Sequence, residues 1–203
     1  MVSPWDLYRR QPGFVLGFHG CDRSVGEEVL AGEKSLKSSV NDYDWLGSGI
    51  YFWEGNPERA KLFAEDAVKR NAKTTKGIIK TPFVVGAIID LGFCCNLMDS
   101  SALAEVRLAY DYLSEISEVA GIKMPENLGG TGKPARYLDR AVIETLHKLR
   151  EQQQLQAYDS VRSAFNEGGP LYTDAGFSKK AHIQISVINE ACIRGYFRPI
   201  LRN

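Results

Sequence analysis

Leu46-Gly47-Ser48-Gly49-Ile50-Tyr51-Phe52 is the stretch on which the reading of the fold turns. Ile50, Tyr51 and Phe52 are β-prone, and Trp53 prolongs the run. Gly47 and Gly49 set it off from the polar segment before it and allow a tight backbone turn at a strand entrance. An aromatic strand entered in this way is either an ordinary core strand or one wall of a pocket. The flanking sequence bears on which.

Upstream, Phe14-Val15-Leu16-Gly17-Phe18-His19-Gly20 reads as a strand running into a turn. Ser24 is the expected cap of a short helix with Val25, Val29 and Leu30 on one face. Downstream, Asn56-Pro57-Glu58 opens a second helix, with Asn as cap, Pro at the first position and an acid in the first turn. Ala60, Phe63, Ala64 and Ala67 form its apolar side, and Lys69-Arg70 suit its C-terminus. Pro82 to Leu91 is nearly continuously apolar and is expected as a central strand.

Leu103, Val106, Tyr110, Leu113 and Ile116 recur at helical spacing from Ser100 to about Ala120. A loop containing Gly129-Gly130 leads to another helix, from about Ala135 to Gln156, with Leu138, Val142, Leu146 and Leu149 on one face. After Gly168-Gly169-Pro170, strands are expected over Ala181 to Ile188 and Tyr196 to Ile200, with a turn at Ile193 between them. The class is therefore α+β: one domain over residues 1–203, with a helical hairpin inserted at about 99–157. No Gly-x-Gly-x-x-Gly opens a helix and no Walker loop occurs, which argues against a doubly wound nucleotide fold.

With 44% apolar and 25% charged residues the chain is an ordinary globular protein, which excludes disordered and collagen-like classes. Lys plus Arg and Asp plus Glu number 25 each, so no bulk charge is available to grip duplex DNA. The charge is nonetheless blocked: −4 over residues 1–66, +5 over 67–80, −5 over 81–177 and +4 over 178–203. Such blocks are usually solvated surface, but two positive segments can also meet around an anionic ligand.

Cys21, Cys94, Cys95 and Cys192 form no Cys-x-x-Cys, and His19, His147 and His182 are scattered, so no metal is expected. The cysteines read as buried thiols in a reducing cytosol. No secretory leader and no membrane span is legible, so a cytoplasmic protein without a membrane partner is expected.

Phe18-His19-Gly20, the glycine-framed Tyr51 strand 32 residues after His19, and His182-Ile183-Gln184-Ile185-Ser186-Val187 form a series. Together they resemble the ADP-ribosyltransferase superfamily of the His-Tyr-Glu type, which includes poly(ADP-ribose) polymerases and diphtheria-like toxins. The resemblance spans residue 18 to about 198 and implies two facing mixed or antiparallel sheets around a cleft for NAD, the co-substrate. Gly20 would pair through its backbone with the nicotinamide carboxamide, His19 would hydrogen-bond a ribose hydroxyl of the adenosine half, and Tyr51 would lie against the nicotinamide ring. Gly49 would help the backbone turn beside the pocket.

Gln184 stands where the family has its catalytic glutamate; it can accept from a ribose hydroxyl but carries no charge. That departure suggests transfer of a single ADP-ribose, and leaves open a non-catalytic module binding NAD or ADP-ribose, or an RNA 2′-phosphotransferase on the same fold. Glu54 is a candidate general base for the acceptor, and His182, on the same strand face as Gln184, a candidate for orienting substrate. Arg59, Arg136 and Arg162 are candidates for the NAD pyrophosphate. Lys179-Lys180 falls where the family places acceptor-recognition loops.

Within the superfamily the nearest look is to a bacterial group with Asp44-Trp45-Leu46-Gly47 through Trp53-Glu54, Asn56-Pro57-Glu58-Arg59-Ala60 and His182-Ile183-Gln184. It includes a toxin of an antiphage toxin–antitoxin–chaperone system that modifies messenger RNA. An RNA acceptor and an antitoxin partner are therefore expected, with a protein acceptor as the alternative.

Overall fold

Strand β1 (Phe14–Asp22) continues past the expected turn at Gly20, and Asp22, not Ser24, caps helix α1 (Arg23–Leu30). The Asp22 carboxylate accepts from the Ser24 N–H, so Ser24 sits inside the first turn as a donor. The computed structural model describes residues 13–71, 73–74, 77–128 and 135–200; Gly129-Gly130, Lys76 and both chain ends lie outside them. The remaining elements are β2 (Ile50–Glu54), α2 (Pro57–Lys69), β3 (Lys73–Thr74), β4 (Gly77–Ile78), β5 (Pro82–Asp90), β6 (Cys94–Asn96), α3 (Ser100–Ala120), α4 (Tyr137–Gln152), β7 (Ser160–Phe165), β8 (His182–Val187) and β9 (Ile193–Phe197).

The protein is α+β, as expected. Seven strands form one mixed sheet in the order β6-β7-β8-β2-β1-β5-β9, and β3-β4 make a two-residue ladder. Every neighbouring pair in the large sheet is antiparallel except β6 and β7. Those two are parallel because the α3–α4 hairpin supplies the long crossover that parallel strands need.

The two facing sheets expected from the resemblance are instead joined in one. The join is narrow: β1 and β2 pair only at Gly17–Glu54 and Phe18–Trp53. Beyond Phe18, β1 stays paired with β5 and β2 with β8, so the sheet opens between its two halves.

Alternation along the strands sorts the side chains. Phe52, Val85, Ala87, Ile89, Ile185 and Val187 gather in one cluster with Val29 and Leu36. Phe18, Trp53 and Val84 pack with Ala60 of α2, and Phe93, Cys95 and Val161 pack with α3 and α4. Helix α4 buries Val142 and Leu146 on the expected face. On helix α3 Val106, Tyr110 and Leu113 pack against the helical core as expected, but Leu103 is 50% and Ile116 42% exposed, while Ala102 and Ala109 are buried. Small residues at that contact let the helices approach closely, which overrides the larger side chains of the periodic pattern.

Candidate active site at the strand junction

The Gly55 N–H donates to the Leu16 carbonyl at 2.8 Å, which fixes which side of β1 faces β2. Alternation then aims the N–H and C=O of Phe18 and Gly20 the same way. Phe18 meets Trp53; the next such pair would be Gly20 with Tyr51, and there the ladder stops. The His19 ring stands in its place: Nδ1–H donates to the Tyr51 carbonyl at 2.8 Å. Only a protonated Nδ1 can serve that oxygen, so the neutral ring keeps Nε2 as its acceptor. Gly20 is buried, and a Cβ on it would lie 2.2 Å from the Ala60 carbonyl oxygen. Its glycine is therefore demanded first by the approach of α2, and its backbone faces the opening.

The opening is a cleft of about 480 Å³, within the range of small-molecule and cofactor sites. His19, Gly20, Tyr51, Arg59 and Gln184 line it, as do the aromatic rings of Tyr43, Trp45, Trp53, Phe63 and Phe165. The Tyr51 hydroxyl donates to the Gly47 carbonyl at 2.9 Å and accepts from the Leu46 N–H at 3.0 Å. Burial and the nearby Asp44 charge hold its pKa well above the usual phenol range, so it stays protonated. Gly47 has φ of +78°, which closes the turn from Asp44 to Gly47 that a side chain would strain. A Cβ on Gly49 would fall 2.3 Å from the Ser186 hydroxyl, so Gly49 lets the loop lie directly on β8.

Helix α4 clamps this loop at both ends. Arg140 donates to the Asn41 carbonyl and to the Ser48 hydroxyl, and Glu144 accepts from the Ser48 N–H and hydroxyl, both at 2.8 Å. The inserted hairpin thus positions the cleft wall. Sequence reasoning placed the hairpin but not that role; Arg140 and Glu144, one turn apart beside the buried Val142–Leu146 stripe, were the available signal.

Gln184 lies opposite Trp53 in the β2–β8 ladder, and its Oε1 accepts from Trp45 Nε1 at 2.6 Å. One lone pair of the amide oxygen expected to take a ribose hydroxyl is therefore used inside the protein. His182 is on the same strand face, as expected, but is 8% exposed and does not line the cleft. It donates from Nδ1 to the Lys180 carbonyl at 2.7 Å and packs against Phe165 and Trp53, which makes it a core histidine rather than a substrate contact. Burial holds its pKa below the usual value.

No protein-family model and no curated protein matches the chain.

Two further expectations are corrected by the same geometry. Glu54 alternates away from Tyr51 and Trp53, is absent from the cleft wall, and forms a two-pronged ion pair with Arg162 at 2.6 and 2.9 Å. It is neither placed nor free to act as a base there, and Arg162 is not available to a pyrophosphate. Arg136 pairs with Asp139 and stacks over Phe165, outside the cleft. Arg59 does line the cleft, but it is ion-paired with Glu167.

Among the described residues six charged side chains line the cleft: Lys37, Arg59 and Arg70 against Asp22, Asp44 and Glu167. Asp22 is occupied as a cap, accepting from Ser24, Lys80 and Thr81, which pull its pKa far down. Lys37 and Arg70 have no ion pair among the described residues; the sequence placed Arg70 in the positive block at the end of α2 and gave no signal for Lys37.

The positive block 67–80 reaches the cleft through Arg70, Gly77 and Ile79. The block beyond 177 divides: Lys180 lies 3.8 Å from Asp66 on α2, while Arg194 and Arg198 pair with Asp90 and Glu27. Among the described residues no group of His, Cys, Asp or Glu is arranged to hold a metal, and no helix is long and apolar enough to cross a membrane.

Proposed function

We propose that the protein is an NAD-dependent mono-ADP-ribosyltransferase acting on a macromolecule, with RNA as acceptor. The observation that carries this reading is the opened β1–β2 junction. It turns the Gly20 backbone toward the cleft and sets His19 and Tyr51 on either side of it. A carboxamide needs one N–H and one C=O side by side, and a strand whose ladder has stopped offers that pair. The nicotinamide ring stacks on Tyr51, an interaction worth about 0.5–1.5 kcal/mol beyond burial. The neutral Nε2 of His19 accepts from a ribose hydroxyl.

The pyrophosphate is assigned to Lys37 and Arg70 in place of Arg136 and Arg162, because these line the cleft without an ion pair among the described residues. NAD is a consumed co-substrate, and no step requires a metal. Lys179, exposed on the loop before β8, favours an anionic acceptor over a neutral one. The sequence resemblance to a toxin supports a toxin role, with an antitoxin partner to hold it in check.

The experiment is mass spectrometry of total RNA and total protein after incubation with the purified protein and NAD. ADP-ribose on RNA supports the reading, ADP-ribose on protein alone moves the acceptor, and neither adduct contradicts it.

A second reading, a non-catalytic module that binds NAD or ADP-ribose, is favoured by one observation: Trp45 already engages the Gln184 oxygen. It predicts that NAD binds and is recovered intact. A 2′-phosphotransferase would need a set of arginines in the cleft, where among the described residues only Arg59 and Arg70 stand and the first is paired.

A further inference from the structure

Gln184 supplies no charge, and Glu54 points away from the cleft. Transfer of a sugar from NAD to an N–H or O–H group still needs somewhere for the acceptor's proton to go. We infer that Asp44, on the loop before β2, is the proton acceptor of this cleft. The inference rests on the reading of the cleft as an ADP-ribosyl transfer site.

Among the described residues three carboxylates line the cleft, and two are committed: Asp22 to the α1 cap and to Lys80 and Thr81, and Glu167 to Arg59. Asp44 has no lysine or arginine in contact among the described residues. It accepts hydrogen bonds from the Ser39 hydroxyl and, at 2.9 Å, from the Asn41 N–H, both at Oδ2, and from the Asn41 side chain. Asn41 Nδ2 in turn donates to Ser39 Oγ at 2.8 Å, and the Asp44 N–H and C=O close two consecutive turns. The carboxylate is thus held in place by its own loop.

Its neighbour Trp45 is bonded to Gln184, and the Asp44 charge acts on Tyr51, so Asp44 lines the same cleft as the strand position that lacks a carboxylate. The charged and titratable groups facing Asp44 are Arg140 from α4, Tyr51 from β2 and Tyr43 from its own loop. Burial raises the Asp44 pKa, which suits a group that must take a proton near neutrality.

In the step, the acceptor nitrogen or oxygen forms a bond to C1′ of the nicotinamide ribose. The C1′–N bond breaks, and its electron pair leaves on the ring nitrogen as neutral nicotinamide. The acceptor's proton passes to Asp44.

The test measures nicotinamide release from NAD in the presence of total cellular RNA, from pH 3.5 to 9. Asp44→Asn keeps the shape and the Ser39 and Asn41 bonds. It is expected to bind NAD as wild type does, to lose about 100-fold in rate, and to lose the acid limb of the pH profile. Ser39→Ala, which removes a donor to the carboxylate, is expected to move that limb upward by about one pH unit. A wild-type rate and profile in Asp44→Asn, or an unmoved limb in Ser39→Ala, overturns the assignment while leaving the transferase reading intact. A wild type that binds NAD without releasing nicotinamide, or does not bind it, overturns both.

Discussion

His19 Nδ1 lies 2.8 Å from the carbonyl oxygen of Tyr51. Across a continuous sheet that oxygen would take a backbone N–H of the neighbouring strand; here a side chain takes it. One imidazole thus satisfies the Tyr51 carbonyl where the β1–β2 ladder stops, which lets β1 and β2 part without leaving that oxygen unpaired.

Replacing His19 by Ala leaves the Tyr51 carbonyl without that donor. The expected cost in stability is about 1 kcal/mol, well short of unfolding, whereas NAD affinity falls at least about tenfold, because a ribose contact and the wall it stands on go together. Thermal unfolding and NAD titration on the same sample separate the two effects.

Tyr51→Phe keeps the stacking ring and removes the hydroxyl that bonds Leu46 and Gly47. The Leu46 N–H is left unsatisfied beneath the loop, for an expected loss of about 1–3 kcal/mol with the NAD affinity largely retained. Tyr51→Ala should instead abolish nicotinamide release. Denaturant titration and a release assay distinguish the pair.

Glu54→Gln separates a structural from a chemical role. The side chains of Glu54 and Arg162 are 20% and 17% exposed, so loss of their ion pair is expected to destabilise by about 1–3 kcal/mol. Turnover of the folded variant should equal wild type. A rate loss that remains after correction for the unfolded fraction would return Glu54 to the chemistry.

Stability should fall on acidification through histidine. Burial lowers the pKa of both His182 and His147 from 6.5. Their folded states resist protonation, so the unfolded chain binds more protons once pH drops below 6.5. Their contribution is complete above 6.5 and is lost progressively as pH falls toward the folded values. The melting temperature of His182→Gln is expected to change less between pH 7 and 5 than that of wild type.

The residues also explain how much was legible in advance. Asn56-Pro57-Glu58 announced α2 because capping chemistry is local, and the apolar run at Pro82 announced β5 because a strand covered on both faces needs no polar alternation. Cys94-Cys95-Asn96 and Ser160–Phe165 carried too short and too polar a pattern to reveal β6 and β7, which exist through their pairing with each other and with β8. At the site, His19, Gly20, Tyr51 and Gln184 could be gathered from motif spacing. The misplacement of Glu54 and His182 came from reading proximity in sequence as proximity in the cleft: Glu54 follows the strand but faces the other way, and His182 is sealed behind Phe165. Asp44 and Lys37 sit in an irregular loop whose course is set by Arg140 and Glu144, and no periodicity reports such a loop.

The most direct test of the central claim is chromatographic measurement of free nicotinamide after NAD is incubated with the purified protein and total RNA. Wild type should release nicotinamide in proportion to ADP-ribose appearing on the RNA, and Tyr51→Ala, folded by its melting curve, should release none. Full recovery of intact NAD from wild type, or equal release by Tyr51→Ala, would contradict the account.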